Sequence, residues 1–142
     1  MPILTLPRPV AWDRAGPQED ETACMVTYLR RIVLAPPATH ERGHAIFVDS
    51  RSTWVGDAPC GLGTMSMLVL RMRTLLGHAL RLDAAGIVLA HSHPSGHCRP
   101  SGCDIAATRR LADVARALDI ALIDHLIFTE NAVYSMRAGG LL

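Results

Sequence analysis

Two histidines spaced two residues apart, His91 and His93, are the side chains whose types and spacing point most directly to chemistry. They follow an apolar run over residues 86–90, which is typical of a buried β-strand. Residues i and i+2 of a strand project to the same side, so both imidazoles should share one face of the sheet and Ser92 should lie on the other. Because paired neutral imidazoles are ordinary zinc ligands, the end of this strand is a candidate metal site.

A carboxylate that could complete the site follows a short turn rich in Pro and Gly. Ser101 is followed three residues later by Asp104 and then by an amphipathic run, a pattern typical of a helix N-terminus. In the first turn of that helix, Asp104 could face back toward the strand end. Either signal alone is better explained by surface histidines or by an ordinary capped helix. Together, across a tight loop, they predict a metal site.

The remaining chain predicts a layered α/β domain. Apolar and β-branched runs predict strands at residues 44–49, 53–56, 85–93, 120–128 and 133–136. Amphipathic or apolar periodicity predicts helices at 22–35, 65–82 and 104–118, the second largely buried, and residues 57–63 are predicted as a loop. This alternation favours a mixed β-sheet with flanking helices.

Length and composition fit one domain, which we expect at residues 18–142 after an irregular N-terminal arm at 1–17. Hydrophobic residues make up 49% of the chain, enough for a core, and the net charge of +1 favours neither a membrane surface nor nucleic acid. All 14 basic residues are arginines. Cysteines lacking a Cys-x-x-Cys spacing predict reduced thiols and a cytoplasmic location. Two of them, Cys98 and Cys103, flank the candidate site, and a zinc role for them stays open.

Five further histidines carry weaker signals. His125 follows Asp124 inside the predicted strand 120–128, where structural hydrogen bonds are expected and no function is assigned. The others are expected to be solvated or incidental: His40, His44, His78 and His97.

The string His-Ser-His-Pro-Ser-Gly at 91–96, followed by Ser101 and Asp104, resembles the JAMM motif of the JAB/MPN metalloprotease-like domains and, among them, the RadC branch. The resemblance extends over residues 41–142. One departure is Ser92, where the family usually has Asn; this residue should face away from a metal, so a hydrogen bond behind the ligands is in doubt. RadC-like proteins also usually carry an N-terminal helix-hairpin-helix region, which we do not expect in this chain.

The resemblance implies a JAB/MPN (cytidine-deaminase-like) architecture and a zinc-dependent hydrolase that cleaves an amide, peptide or isopeptide bond in a peptide or protein substrate. His91, His93 and Asp104 would hold the zinc, and three protein ligands plus water is the pattern of catalytic sites. Glu41 fills the family's upstream acid position and would be the general base. Ser101 would donate to the oxyanion of a tetrahedral intermediate, although the same hydroxyl could cap its helix instead.

Two other functions stay open. RadC-like proteins are traditionally linked to DNA repair, which a clustered arginine face such as Arg109, Arg110 and Arg116 would favour. Some JAB/MPN domains lack the metal set and serve as non-catalytic interaction modules, and the full ligand set here argues against that role. A zinc deaminase is disfavoured because its His-x-Glu and Pro-Cys-x-x-Cys patterns do not occur. The oligomeric state and the particular substrate are not predicted.

Overall fold

A computed structural model describes residues 18–37, 39–62 and 71–142 of the chain. The elements in chain order are α1 (Gln18–Val33), β1 (Arg42–Val48), β2 (Trp54–Leu62), α2 (Met72–Arg81), β3 (Gly86–Ser92), α3 (Gly102–Ala117), β4 (Ala121–Phe128) and β5 (Val133–Ser135). The predicted arm at 1–17 lies outside the described residues. No helix within the described ranges is both long and apolar enough to cross a membrane.

The five strands form one mixed sheet in the order β2-β1-β3-β4-β5. All neighbouring pairs are antiparallel except β3 and β4, which are parallel and joined by α3. A parallel pair needs such a crossover because the second strand must begin at the same end of the sheet as the first. The mixed sheet with flanking helices confirms the predicted α/β class and is consistent with the JAB/MPN fold.

Each face of the sheet carries its own apolar core, as the period-2 alternation of strand side chains requires. On one face, Leu29 of α1 packs against Ile46, Val88 and Leu126. On the opposite face, Leu75 of α2 and Leu111 of α3 pack in a cluster with Phe47, Ile87 and Leu89. The odd-numbered residues of β3 therefore face α2 and α3, and this is the side toward which His91 projects.

The second strand is longer than the sequence predicts. Residues 57–62 were expected in a loop, since Asp57, Pro59 and Gly61 are poor strand formers, yet they pair with β1 as far as Leu62. They are tolerated because β2 is an edge strand, where a proline need not donate to a neighbour. The pairing also shifts register between Gly43 and His44, opposite this stretch.

The helix predicted over residues 65–82 is observed as α2, which begins only at Met72. Residues 63–70 lie outside the described part, so that portion of the prediction has no counterpart here. The prediction that this helix is largely buried is wrong for its C-terminal end, because Leu80 is 56% and Leu82 37% exposed. Only one side of α2, carrying Leu75, Leu76 and Ala79, is buried.

Candidate metal centre

The end of β3 brings two histidines to one face, as predicted from their spacing. His91 is fully buried and His93, just beyond the strand, is 9% exposed. Ser92 points to the other side, where its hydroxyl accepts a hydrogen bond from the Arg42 amide at 3.1 Å. The serine at the position where the family usually has Asn thus ties the end of β3 to the start of β1.

The antiparallel pairing of β1 with β3 places Glu41 at the same point. Gly43 pairs with His91, and continuing this register by two residues sets Glu41 opposite His93. Glu41 is only 4% exposed, and its Oε1 lies 3.7 Å from Nε2 of His93. This proximity comes from strand pairing, which explains why spacing along the chain could not identify Glu41.

The N-terminus of α3 supplies Asp104. Ser101 is the N-cap, and its hydroxyl oxygen accepts from the Asp104 amide at 3.0 Å. In return, Oδ2 of Asp104 accepts from the Ser101 amide at 2.8 Å, completing a capping box. The capping role foreseen for Ser101 is therefore observed. Its hydroxyl proton remains able to donate elsewhere, so the oxyanion role stays a prediction.

The four side chains converge on one point. Each of Glu41, His91, His93 and Asp104 contributes a potential ligand atom, and these atoms all lie within 4.8 Å of one another. The two imidazole Nε2 atoms are 2.9 Å apart. Oδ2 of Asp104 is 3.1 Å from His93 Nε2, and Oδ1 is 3.6 Å from His91 Nε2. We refer to these four residues as the four-residue cluster.

The distances between the potential ligand atoms are close to those around a small metal cation. Bonds of roughly 2.0–2.2 Å in a tetrahedral arrangement separate neighbouring ligand atoms by roughly 3.3–3.6 Å. Of the three distances between His91, His93 and Asp104, the one of 3.6 Å lies at the upper end of this range, and those of 2.9 Å and 3.1 Å are shorter. Nitrogen and carboxylate oxygen are also the donor types that zinc accepts.

The hydrogen bonds around the cluster leave it rich in acceptors. Nδ1 of His93 lies 2.7 Å from the carbonyl oxygen of His97, and since a carbonyl can only accept, the His93 proton is on Nδ1 and neutral His93 presents a lone pair at Nε2. Among the described residues, Glu41 Oε2 is the buried side-chain polar atom that has no hydrogen-bond partner. Acceptors facing each other without a donor form a site that a cation would satisfy.

The electrostatics of the cluster reflect this crowding. Burial tends to raise the pKa of Asp104, but the nearby His91 and His93 in their protonated forms and the hydrogen bond from the Ser101 amide outweigh it and hold that pKa far below its ordinary value. Burial raises the pKa of Glu41, and the charge of His93 only partly opposes it. For His93, burial is outweighed by Asp104 and the His97 carbonyl, which raise its pKa. Burial keeps the pKa of His91 below its ordinary value.

The sequence did not predict the role of two residues behind the cluster, His125 and Thr108. His125 is 1% exposed, and its Nε2 lies 2.6 Å from Nδ1 of His91. Its other nitrogen lies 2.7 Å from the hydroxyl oxygen of Thr108, on α3. The neighbouring Asp124 is structural, as expected: it accepts from the His125 and Arg137 amides and from the Ser135 hydroxyl. Only the parallel pairing of β3 with β4 brings His125 beside His91.

The expectation that His44 is solvated is wrong. His44 is 6% exposed and lies on the α1 face of the sheet, where its Nε2 is 2.6 Å from Oδ2 of Asp57. Tyr28 of α1 donates its hydroxyl to the same oxygen at 2.6 Å. The sequence did not predict this Tyr28–His44–Asp57 group, because Asp57 was placed in a loop at 57–63 and not on a strand beside His44. The expectation that His40 and His97 are solvated is correct, while His78 is half-buried.

The two cysteines near the site are not among its converging groups. Cys98 is 1% exposed and packs against Ile127 and Met136, whereas Cys103 is exposed on α3. Within the described ranges, the group of potential ligands contains only the glutamate, the two histidines and the aspartate.

Comparison with known proteins identifies the family of the chain. The sequence profile of the RadC-like JAB domain matches residues 20–141, and the chain belongs to this family. Similar proteins include a UPF0758 protein of Rhodobacter capsulatus, 36% identical over 72% of this chain and 48% of the relative. Another is a UPF0758 protein of Cupriavidus pinatubonensis, 34% identical over 87% of this chain and 53% of the relative. The chain thus spans about half the length of the curated relatives it matches.

Proposed function

We propose that this domain is a zinc-dependent hydrolase of the JAMM type, which cleaves an amide, peptide or isopeptide bond. The observation that carries the proposal is the convergence of the four-residue cluster, within which Glu41 Oε2 is buried without a partner. His91, His93 and Asp104 would hold the metal. Zinc would supply Lewis acidity, which brings the pKa of water toward about 7.

The chain's own residues would divide the remaining work. Glu41 lies beside His93 but outside the capping box that holds Asp104, so its carboxylate is available to take the proton of an attacking water and return it to the leaving amine. Ser101, at the rim of the cluster, has a hydroxyl proton that could be donated to a developing oxyanion. Asp104 would be kept in place and ionised by its bonds at the helix start.

A cavity beside the cluster could receive the substrate. It measures about 330 Å³ and is bounded by His93. The other residues lining it are Leu34, Pro94, Gly96, Thr129, Glu130 and Asn131. Walls from the end of α1 and from the β4–β5 turn would flank a chain entering toward His93, which supports a peptide or protein segment as the substrate.

The test combines metal analysis with a peptide-library cleavage screen on the wild type, His91→Ala and Glu41→Gln. We expect about one zinc per wild-type chain, loss of zinc in His91→Ala, and retained zinc with cleavage reduced by about 10²–10⁴-fold in Glu41→Gln. His44→Ala, which changes another buried histidine of the sheet, is the matched control and should keep both. A wild type that takes up no zinc after reconstitution would overturn the proposal.

One observation favours the nucleic-acid role as a second candidate. A cavity of about 570 Å³ between α3, β4 and the C-terminal residues is bounded by Arg109, Arg116 and Arg137. Arg109 and Arg137 are each held by hydrogen bonds to backbone carbonyls, while Arg116 pairs with Asp113 at 3.1 Å. Arg110, part of the predicted arginine face, is exposed but does not line this cavity.

DNA titrations at several salt concentrations test this second candidate. If these arginines contact phosphates, Arg109→Ala should weaken DNA binding. It should also reduce the slope of log K against log[salt] by about 1, the change expected for the loss of one phosphate contact. Binding that is undetectable at low salt, or that is unaffected by Arg109→Ala and Arg137→Ala alike, would reject it.

A further inference from the structure

A buried chain of hydrogen bonds runs from the backbone of α3 to the back of His91. It begins at the carbonyl oxygen of Asp104, passes through the Thr108 hydroxyl at 2.6 Å and reaches His125 Nδ1 at 2.7 Å. From His125 Nε2 it continues to His91 Nδ1 at 2.6 Å. Thr108, His125 and His91 are each at most 1% exposed, so solvent cannot supply alternative partners.

The direction of every bond in this chain follows from its first member. A carbonyl oxygen only accepts, and an oxygen pair 2.6 Å apart needs a proton between its members, because that separation is at the short end of O–H···O bonds. The single Thr108 proton therefore lies toward Asp104. The Thr108 oxygen must then accept from His125 Nδ1–H, which leaves Nε2 of neutral His125 as an acceptor.

The last step sets the state of the candidate ligand. Since His125 Nε2 accepts, His91 must donate from Nδ1, and neutral His91 then has its lone pair on Nε2. This is the atom that lies 2.9 Å from His93 Nε2 and 3.6 Å from Asp104 Oδ1. The opposite tautomer would point a proton into the cluster and block a cation.

We propose that His125 and Thr108 are positioning residues that fix the tautomer of His91, so that its Nε2 lone pair faces the four-residue cluster before any metal arrives. Neither residue belongs to the cluster. The inference rests on the proposed function for its purpose, since a preset lone pair matters only if a cation binds. The hydrogen bonds themselves can be tested on metal-free protein.

The primary test reads the tautomers directly. Long-range ¹H–¹⁵N spectra of the histidine rings, recorded on metal-free protein at a pH well above the ordinary imidazole pKa of about 6.5, distinguish Nδ1–H from Nε2–H. Metal-free protein is required because a bound cation would itself exclude a proton from Nε2. We expect His91 and His125 both to be protonated on Nδ1; an Nε2–H signal from either overturns the proposal.

Variants then connect the tautomer to metal affinity. Thr108→Val keeps the volume but removes the acceptor for His125, and we expect a mixed His91 tautomer with zinc affinity about 10–100-fold weaker, the usual effect of losing a partner behind a ligand. His125→Phe should weaken zinc affinity to a similar extent. His125→Gln, whose amide oxygen can accept from His91, should retain most of the wild-type zinc affinity. Unchanged tautomer and affinity in Thr108→Val would overturn the proposal, even if His125→Phe fails to fold.

The outcomes separate this inference from the proposed function. A wild type with Nδ1–H on both histidines but no zinc binding would support the hydrogen-bond chain and reject the hydrolase. A wild type that binds zinc normally but carries Nε2–H on His91 in its metal-free form would reject the hydrogen-bond chain and leave the proposed hydrolase standing.

Discussion

Two groups of histidine and aspartate side chains occupy opposite faces of the same sheet, and they differ in whether the protein itself satisfies them. In the Tyr28–His44–Asp57 group, one carboxylate oxygen accepts from both the tyrosine and the histidine at 2.6 Å. In the four-residue cluster, acceptors face each other and a buried Glu41 oxygen has no partner among the described residues. The same residue types thus make a closed structural group on one face and a site open to a cation on the other.

The largest contrast between the groups should appear in metal binding. His91→Ala removes a converging nitrogen, and zinc affinity should fall by more than the roughly 10–100-fold that the loss of an outer partner costs. His44→Ala should leave affinity unchanged, since its imidazole lies on the α1 face. Metal analysis after dialysis against buffered zinc measures both. Equal zinc loss in the two variants would break the comparison.

The closed group should contribute to the stability of the metal-free protein. His44→Ala removes a hydrogen bond to the ionised Asp57, and Asp57→Asn removes the charge that strengthens both bonds, so each should lower the free energy of unfolding by about 1–3 kcal/mol. Denaturant titration of metal-free protein measures this. A His44→Ala variant as stable as the wild type would show that the closed group does not contribute to stability.

The closed group should also give acid sensitivity. Burial alone would raise the pKa of Asp57, but hydrogen bonds from Tyr28 and His44 outweigh it and lower that pKa. A carboxyl with a lowered folded pKa stabilises the protein above its unfolded pKa of about 3.9 and loses that contribution as the pH falls through the folded value. The stability difference between wild type and Asp57→Asn should therefore be constant near neutrality and shrink below about pH 4. A difference that instead grew on acidification would contradict this assignment.

A smaller change in stability, this time an increase, is expected when Glu41 is replaced. Burial raises its pKa, which means that folding disfavours the charged form at neutral pH. Glu41→Gln removes that charge and should stabilise metal-free protein by roughly 1 kcal/mol, at the low end of the cost of an unsatisfied buried group. Thermal and denaturant unfolding without metal measure it. Destabilisation by this variant would show that Glu41 is already satisfied.

The smallest expected effect is the change in zinc content when the exposed cysteines are labelled. Cys103 and Cys24 are exposed and should react with a thiol reagent in the native protein, whereas burial raises the pKa of Cys60 to about 12 and makes it inert. Labelling Cys103 should leave zinc content unchanged. Counting labels by mass spectrometry beside metal analysis tests this, and release of zinc on labelling would add Cys103 to the site.

The sequence predicted those parts of the fold and site that depend on local pattern. The apolar run before His91, the His-x-His alternation and the Ser101 cap each depend on residues a few positions apart, and the structure has all three. Glu41 came only from a family resemblance, because its place beside His93 depends on pairing between β1 and β3. His44 and His125 could not be interpreted for the same reason, since their partners Asp57 and His91 lie across strand pairs. Pro59 and Gly61 misled the prediction of β2 because edge position overrides local propensity.

The register of β1 against β3 has a consequence for how the domain comes together. Sliding β1 by a single residue along β3 would turn its side chains to the opposite faces, so Ile46 would leave its apolar layer at the same moment that Glu41 lost its place opposite His93. A mispaired chain would therefore have neither a sound interior nor a cation pocket. Correct strand alignment and assembly of the four-residue cluster are a single event, and no folded, misaligned form of the domain that lacks the cluster should persist.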